Sequence, residues 1–395
     1  MANSRILLTD AESGVSLDQY FLQAPGTVPL GGQPEWFVRL ETLRGGKSEG
    51  VQVVTLNNGP LTVCVLPTRG MNIWKAGLRG MEAGWRSPVE QLVHPRFVPV
   101  DHPNGLGWLH GFNELVARCG LASNGPPGDD AEGHPLENPL TLHGRVSNLP
   151  AHRLELMIEE GSPTTIRLEG VIDETSLFGT SLRLTSSLSM RLGSTECVIE
   201  DRITNLSGKV AEAQLLYHIN VGSPILEEGA RIIAPASEIA PRDARAAEGI
   251  PGWDVCGPPE SGFTEQVYYL KPLTDDDDKA MVMMRNAAGN KGLSVHFDRR
   301  QLPYLSLWKN LAALSEGYVV GLEPATNYPN HRQFERSQGR VVSLEPGASH
   351  EARVRLTLHD GLEDVAYFEA LAEGLADGKE FTEHEEPRKS WSAGV

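Results

Sequence analysis

Cysteine is scarce in this chain and, where present, solitary. Cys64, Cys119, Cys197 and Cys256 are the four among 395 residues, and none stands in a CxxC or CxH pair. That excludes a disulfide framework and predicts single buried thiols in a reducing compartment. Positive charge is also short: 35 Lys and Arg against 52 Asp and Glu leave a net charge of −17. Such a field repels phosphate backbones, so a nucleic-acid partner is not expected. No apolar run approaches the ~18 residues of a membrane span. The N-terminal stretch MANSRILLTDAESGVSLDQ has one arginine and only three consecutive apolar residues, so neither a signal peptide nor an anchor is expected. No βα alternation or glycine-rich phosphate loop points to a nucleotide fold. These absences predict a soluble cytoplasmic protein with no membrane partner.

Turn residues and short alternating runs fill the chain. Gly and Pro, 41 and 27 of them, are spread in small clusters between apolar segments, which punctuates the sequence into strands. In Thr165-Ile-Arg-Leu-Glu-Gly-Val-Ile172 and Ala352-Arg-Val-Arg-Leu-Thr-Leu358, polar and apolar residues exchange faces at every step. Period two with turns between runs predicts a large, mainly antiparallel β protein. Strand-like runs continue from about 50 to 358 without a linker or a fixed repeat, so one β domain is expected there, a two-sheet sandwich and not a propeller. Residues 1–49 read as an N-terminal extension packed on it, with a short helix at Leu17–Leu22. Residues 359–395 read as a helix at Glu363–Ala376 and a frayed polar tail from Phe381. The acidic run Asp275–Lys279 reads as a solvated loop.

Four segments set unusual polar residues at strand ends beside glycine. Leu66-Pro-Thr-Arg-Gly-Met-Asn-Ile73 carries Arg69. His110-Gly-Phe-Asn-Glu-Leu-Val-Ala-Arg-Cys-Gly-Leu121 carries Asn113, Glu114 and Arg118. Thr141-Leu-His-Gly-Arg-Val-Ser-Asn148 carries His143 and Arg145. Leu215-Leu-Tyr-His-Ile-Asn-Val-Gly222 places His218 inside an otherwise apolar strand. A fifth feature is Glu323, where the apolar run Tyr318–Leu322 opens into a Pro/Asn-rich loop containing Asn327. A carboxyl at such a border is half desolvated, which raises its pKa toward general-base values. No HExxH or other close ligand pair appears, so no metal is assigned.

In this order, Leu66–Ile73, Leu142-His-Gly-Arg145, Tyr217-His-Ile-Asn220 and Gly321-Leu-Glu-Pro324 resemble the aldose 1-epimerase (galactose mutarotase-like) superfamily. The nearest resemblance is to its bacterial branch carried as a domain of unknown function. It runs over roughly three quarters of the chain. What it implies is a β-supersandwich with a small-molecule carbohydrate in an open cleft, and no cofactor. It further implies His143, His218 and Glu323 as the catalytic positions. With Glu323 as base, His218 as acid to the ring oxygen and His143 holding the sugar, a cyclic hemiacetal opens, rotates and closes on its other face. The resemblance departs at the aspartate that grips sugar hydroxyls in the classical enzymes, where Leu305-Ser-Leu-Trp-Lys-Asn310 offers Trp308 and Lys309. Arg69, Asn113, Arg118, Arg145, Trp308, Lys309 and Asn327 are the expected substrate contacts. Gathered cations among them would favour an acidic or modified sugar. Two further readings are a sugar isomerase, epimerase or lyase that takes a proton from carbon, and a non-catalytic carbohydrate-binding protein. A monomer or homodimer is expected.

Overall fold

The computed structural model describes residues 4–24, 35–102 and 104–394. Residues 25–34 of the expected N-terminal extension and Val395 at the end of the tail lie outside them. Two large sheets dominate. One has ten strands, running in space from Arg231–Ile233 through Lys279–Arg285, Lys291–Asp298, Ser349–Asp360, Glu196–Asn205, Ser181–Arg191, Thr165–Thr175 and Arg153–Glu159 to Ser4–Asp10 and Val15–Ser16. The other has fourteen. Its centre reads Gln266–Pro272, Tyr304–Asn310, Val319–Ala325, Ala211–Val221, Val116–Leu121 and Asn72–Leu78. Among the strands of the described residues, pairing is antiparallel apart from Thr382–Glu383, which adds in parallel to Ala236–Pro241.

Period two explains the layering. Along Thr165–Thr175, Ile166, Leu168 and Ile172 are fully buried while Arg167, Glu169 and Val171 are half-exposed, so this sheet turns one face to the core and one to water. Ala211–Val221 behaves differently, since nearly every residue is buried. Ala213, Leu215, Tyr217, Ile219 and Val221 enter the inter-sheet core with Leu154, Leu168, Leu184 and Ile199 of the opposite sheet. Gln214, Leu216, His218 and Asn220 point to the far face and are covered there by loops. The fourteen-stranded sheet is therefore packed on both sides, and its loop-covered face is where polar side chains collect.

A buried ion pair bolts the two sheets together. Arg118 donates to Asp201 on the ten-stranded sheet at 2.6 Å through Nε and to Ser186 Oγ at 2.8 Å, and Tyr217 Oη–H donates to Asp201 at 2.8 Å. Arg118 is thus a sheet-to-sheet strut and not a substrate contact, because its side chain leaves the strand on the core face.

The helix expected near the C-terminus is present as Leu362–Gly374. Leu17–Leu22 is instead non-helical, its last four residues opening the strand Gln19–Gln23: the alternate residues Tyr20 and Leu22 pack on the core, a period of two that a helix would break. The tail is not frayed over its described length. Trp391 is buried against Tyr328, and its carbonyl accepts from Asn330 Nδ2 at 2.7 Å. The acidic run forms an exposed turn, with Asp275 accepting from the amides of Asp277 and Lys279.

Candidate active site

Strand register builds the centre of the site. Ile219 faces Leu322 across the pair Ala211–Val221 and Val319–Ala325, which sets His218 beside Glu323 on the loop-covered face. The same row continues to Ala117 on one side, and to Ser306 and Tyr269 on the other. Small neighbours, Ala117 and Ser306, flank the pair, and Trp108, Phe112 and Trp308 pack on the His218 ring. His218 Nε2 lies 3.2 Å from Glu323 Oε1, and both side chains are almost wholly buried.

His143 arrives from a loop. Its φ of 57° is left-handed, uncommon for a residue with a Cβ, and the turn is held because His143 N–H donates to Gly125 O while His143 O accepts from Gly120 N–H. Gly144 follows at φ 69°, where a Cβ would stand 2.2 Å from Ser123 O and 2.3 Å from Gly120 O, so only glycine closes this turn. The two imidazoles stand edge to face with centroids 5.5 Å apart. Trp108 and Phe112, from the loop preceding Val116–Leu121, pack on them at 4.6 Å (Trp108–His143) and 5.0 Å (Phe112–His218). Trp308 closes the other side at 5.1 Å from His218, and its Nε1–H donates to Glu265 at 2.7 Å.

Hydrogen bonds fix both tautomers. Asn220 Nδ2 donates to Glu114 O and His218 O, so its Oδ1 is the atom 2.7 Å from His218 Nδ1. Nδ1 must therefore carry the proton, and Nε2 presents a lone pair to Glu323. His143 repeats the arrangement, with Nδ1 2.9 Å from Asn124 O and Nε2 left to accept. A separation of 3.2 Å suits an ion pair as well as a neutral contact. Burial decides, because it disfavours both charged forms. Burial pushes the Glu323 carboxyl up to about 8, with the Glu265 carboxylate adding to the rise and Arg242 opposing it. Burial pulls His218 down to about 3, assisted by His143 and opposed by the Asn220 bond, and His143 is lowered by burial as well. Burial thus favours the neutral carboxyl and the neutral rings over the ion pair. Among the described residues, Glu323 Oε1 is buried without an aligned hydrogen-bond partner, and so are Ser306 Oγ and Trp108 Nε1 nearby.

The other expected contacts fall elsewhere. Arg69 is 1% exposed and pairs with Glu114 at 2.7 Å; it also donates to Val93 O and Gly111 O, bracing the loop that carries Trp108 and Phe112. Asn113 Nδ2 is spent on Val89 O and Gln91 O. Lys309 follows Trp308 by one residue and so points to the other face, where Nζ caps the carbonyls of Gly252, Trp253 and Val255. Arg145 is an exposed side chain paired with Asp101. Asn327 and Asn124 exchange a pair of amide hydrogen bonds, 2.9 and 3.0 Å, which supports the His143 turn from behind. The expected cluster of cations in one cleft does not form. The buried carboxylates Glu114 and Asp201 take Arg69 and Arg118, strand parity takes Lys309, and the exposed Asp101 takes Arg145.

Sequence reasoning passed over Trp108, Phe112, Asn220, Tyr269, Glu265 and Arg242. Asn220 was within reach, two residues after His218 on the same strand and therefore on the same face. Glu265 and Arg242 carry no motif and meet the site only through sheet pairing. Among the described residues no three His, Cys, Asp or Glu side chains are grouped to hold a metal ion.

Two twisted antiparallel sheets with a polar, loop-covered face define a galactose mutarotase-like β-supersandwich. A galactose mutarotase-like protein of Clostridium acetobutylicum superposes with a TM-score of 0.54 at 15% identity, over 87% of this chain and 99% of that one. A provisionally named aldose 1-epimerase of Escherichia coli K12 gives 0.51 at 12%, over 79% and 100%. At such identity the likeness is one of fold. The chain belongs to the family described as a domain of unknown function, DUF4432, whose model matches residues 48–358. Across nearly its whole length it is similar to a provisionally named aldose 1-epimerase of Klebsiella pneumoniae subsp. pneumoniae MGH 78578, at 35% identity and a TM-score of 0.93, over 98% of this chain and 99% of that one. No curated protein matches it.

One residue controls where the carboxyl lies. A Cβ built on Gly321 would stand 2.5 Å from Glu323 Oε1 and 3.2 Å from Trp308 Cβ. Its backbone is ordinary strand, so alanine suits the chain but not the space. Gly321→Ala is expected to push the carboxyl out of place and lower turnover at least about 10-fold, the scale of a misplaced proton donor. Urea midpoints should move little by comparison. Turnover unchanged in a folded variant would mean that the carboxyl position is immaterial.

Proposed function

We propose that the protein is an aldose 1-epimerase-like enzyme that interconverts the anomers of a sugar by acid/base ring opening. The observation that carries this reading is the pair itself: a buried carboxyl that keeps its proton beside a neutral imidazole with a free lone pair, on an aromatic-lined face. The two oxygens that exchange a proton in ring opening hang on the same carbon, so an acid and a base in contact span them. Glu323 gives its proton to the ring oxygen while His218 Nε2 takes one from the anomeric hydroxyl, and His143 Nε2 accepts from a further hydroxyl and orients the ring. These roles are the reverse of those the resemblance implies for Glu323 and His218; the Nδ1 contacts of both rings and the burial of Glu323 support the reversal. Trp308, which is partly exposed, offers a flat surface to the apolar face of a sugar ring.

Saturation-transfer NMR over a panel of aldoses and uronic acids, in D2O, tests it. Accelerated exchange between anomers with no deuterium entering at carbon is the expected result. Deuterium at carbon, or binding without accelerated exchange, would overturn it. The pH profile follows from the same pair. Exchange kcat/KM should be flat through neutrality and fall about tenfold per pH unit above about 8, where Glu323 loses its proton. A swapped proton gives the same profile, so the ring nitrogens must be read directly. 15N shifts of His218 should report a neutral ring protonated at Nδ1, and an imidazolium at pH 7 would exchange the two roles.

A further inference from the structure

Glu265 stands on the rim of this face with both carboxylate oxygens engaged. Oε2 accepts from Trp308 Nε1 at 2.7 Å, and Oε1 accepts from Arg242 Nη2 at 3.0 Å. Arg242 is fixed in turn by Asp243 at 2.9 Å. The carboxylate therefore cannot swing away, and the indole it holds is the one that stands edge-on to His218. We propose that Glu265 is a positioning residue of this site, which fixes the Trp308 indole against His218 and sets a carboxylate at the rim of the face that holds Glu323. This rests on the acid/base reading above.

The groups facing Glu323 are few. His218 comes from the strand on one side and Cys119 from the strand beyond it; Ser306 and Tyr269 lie on the other side; His143 hangs over from its loop; Glu265 and Arg242 stand at the rim. The histidines are neutral, and burial keeps the Cys119 thiol and the Tyr269 phenol protonated well above neutral pH. Glu265 and Arg242 are then the only fixed charges of this set, and they act on the proton of Glu323 with opposite signs. The salt bridge between them sets the balance: it brings the carboxylate to the rim and spends the guanidinium on it. Removing Glu265 leaves Arg242 paired with Asp243, and removing Arg242 leaves the Glu265 carboxylate on the Trp308 indole alone.

The test is the alkaline limb of the exchange profile in Glu265→Gln and Arg242→Gln. An amide at 265 still accepts from the Trp308 indole but carries no charge, so the limb should move down by at least about half a pH unit. Arg242→Gln should move it up. A packing role would move neither limb, or both the same way, and equal limbs in all three proteins overturn the proposal. Glu265→Ala also frees the indole, so KM should rise further than in Glu265→Gln. A readout that needs no turnover separates this from the assigned activity. Melting temperature against pH includes the Glu323 proton, identified as the alkaline break that Glu323→Gln removes, and that break should shift down in Glu265→Gln and up in Arg242→Gln. Were no sugar to show accelerated exchange, the activity would be wrong, while unshifted breaks would reject the role of Glu265 itself.

Discussion

Glu323→Gln is expected to lower anomer exchange at least about 100-fold, the usual scale for losing a general acid or base, and to raise the melting temperature at alkaline pH. An amide cannot donate a transferable proton, so the first effect follows from the chemistry. The second follows from linkage. The unfolded chain ionises this carboxyl near its ordinary 4.5, and the folded chain holds the proton up to about 8. Between those values unfolding releases a proton, so stability contributed by the neutral carboxyl is whole below about 4.5 and is lost as pH rises through about 8. The amide never ionises. Its advantage over the wild type should therefore widen across that window and then stay level, reaching a few kcal/mol at most because the amide is itself left unpaired. Melting curves at pH 5 and pH 9 with exchange rates at pH 7 check both halves. An inactive variant with the same pH–stability curve as the wild type would mean that the carboxyl was never held neutral.

Arg118→Leu should produce the largest loss of stability, about 3–5 kcal/mol, because it strands the Asp201 carboxylate between the sheets with the Tyr217 hydroxyl as its remaining side-chain donor. Urea midpoints measure it. The double substitution Arg118→Leu with Asp201→Leu should recover much of the loss, since no buried charge then lacks a partner. KM in whatever Arg118→Leu folds should be near that of the wild type. A stable variant with a raised KM would instead place Arg118 among the substrate contacts.

The sequence carried the fold in its alternation. Thr165–Thr175 and Ser349–Asp360 read as strands because the face that meets the core repeats every second residue, and this needs no partner to be visible. Leu17–Leu22 misled for the complementary reason: six residues with leucine at both ends fit either period, and only its pairing with Phe37–Thr42 settles the matter. His143, His218 and Glu323 were legible as unusual polar residues at strand ends and turns. Asn220 was legible too, by parity with His218.

Which of the cations would stand on that face was not legible. A guanidinium reaches far, and whether Arg69 or Arg118 meets a substrate or a buried carboxylate depends on Glu114 and Asp201, the latter 83 residues further along the chain. Lys309 sits beside Trp308 in sequence and on the opposite face in space. The protonation of the site was hidden for the same reason. The sequence by itself determined that a carboxyl stands at a strand end, one imidazole inside an apolar strand and another beside a glycine turn. Only the tertiary structure decided that Asn220 and Asn124 leave the lone pairs of both Nε2 atoms free and that burial favours the neutral Glu323 carboxyl, because a proton's position is set by what surrounds it in three dimensions and not by its neighbours along the chain.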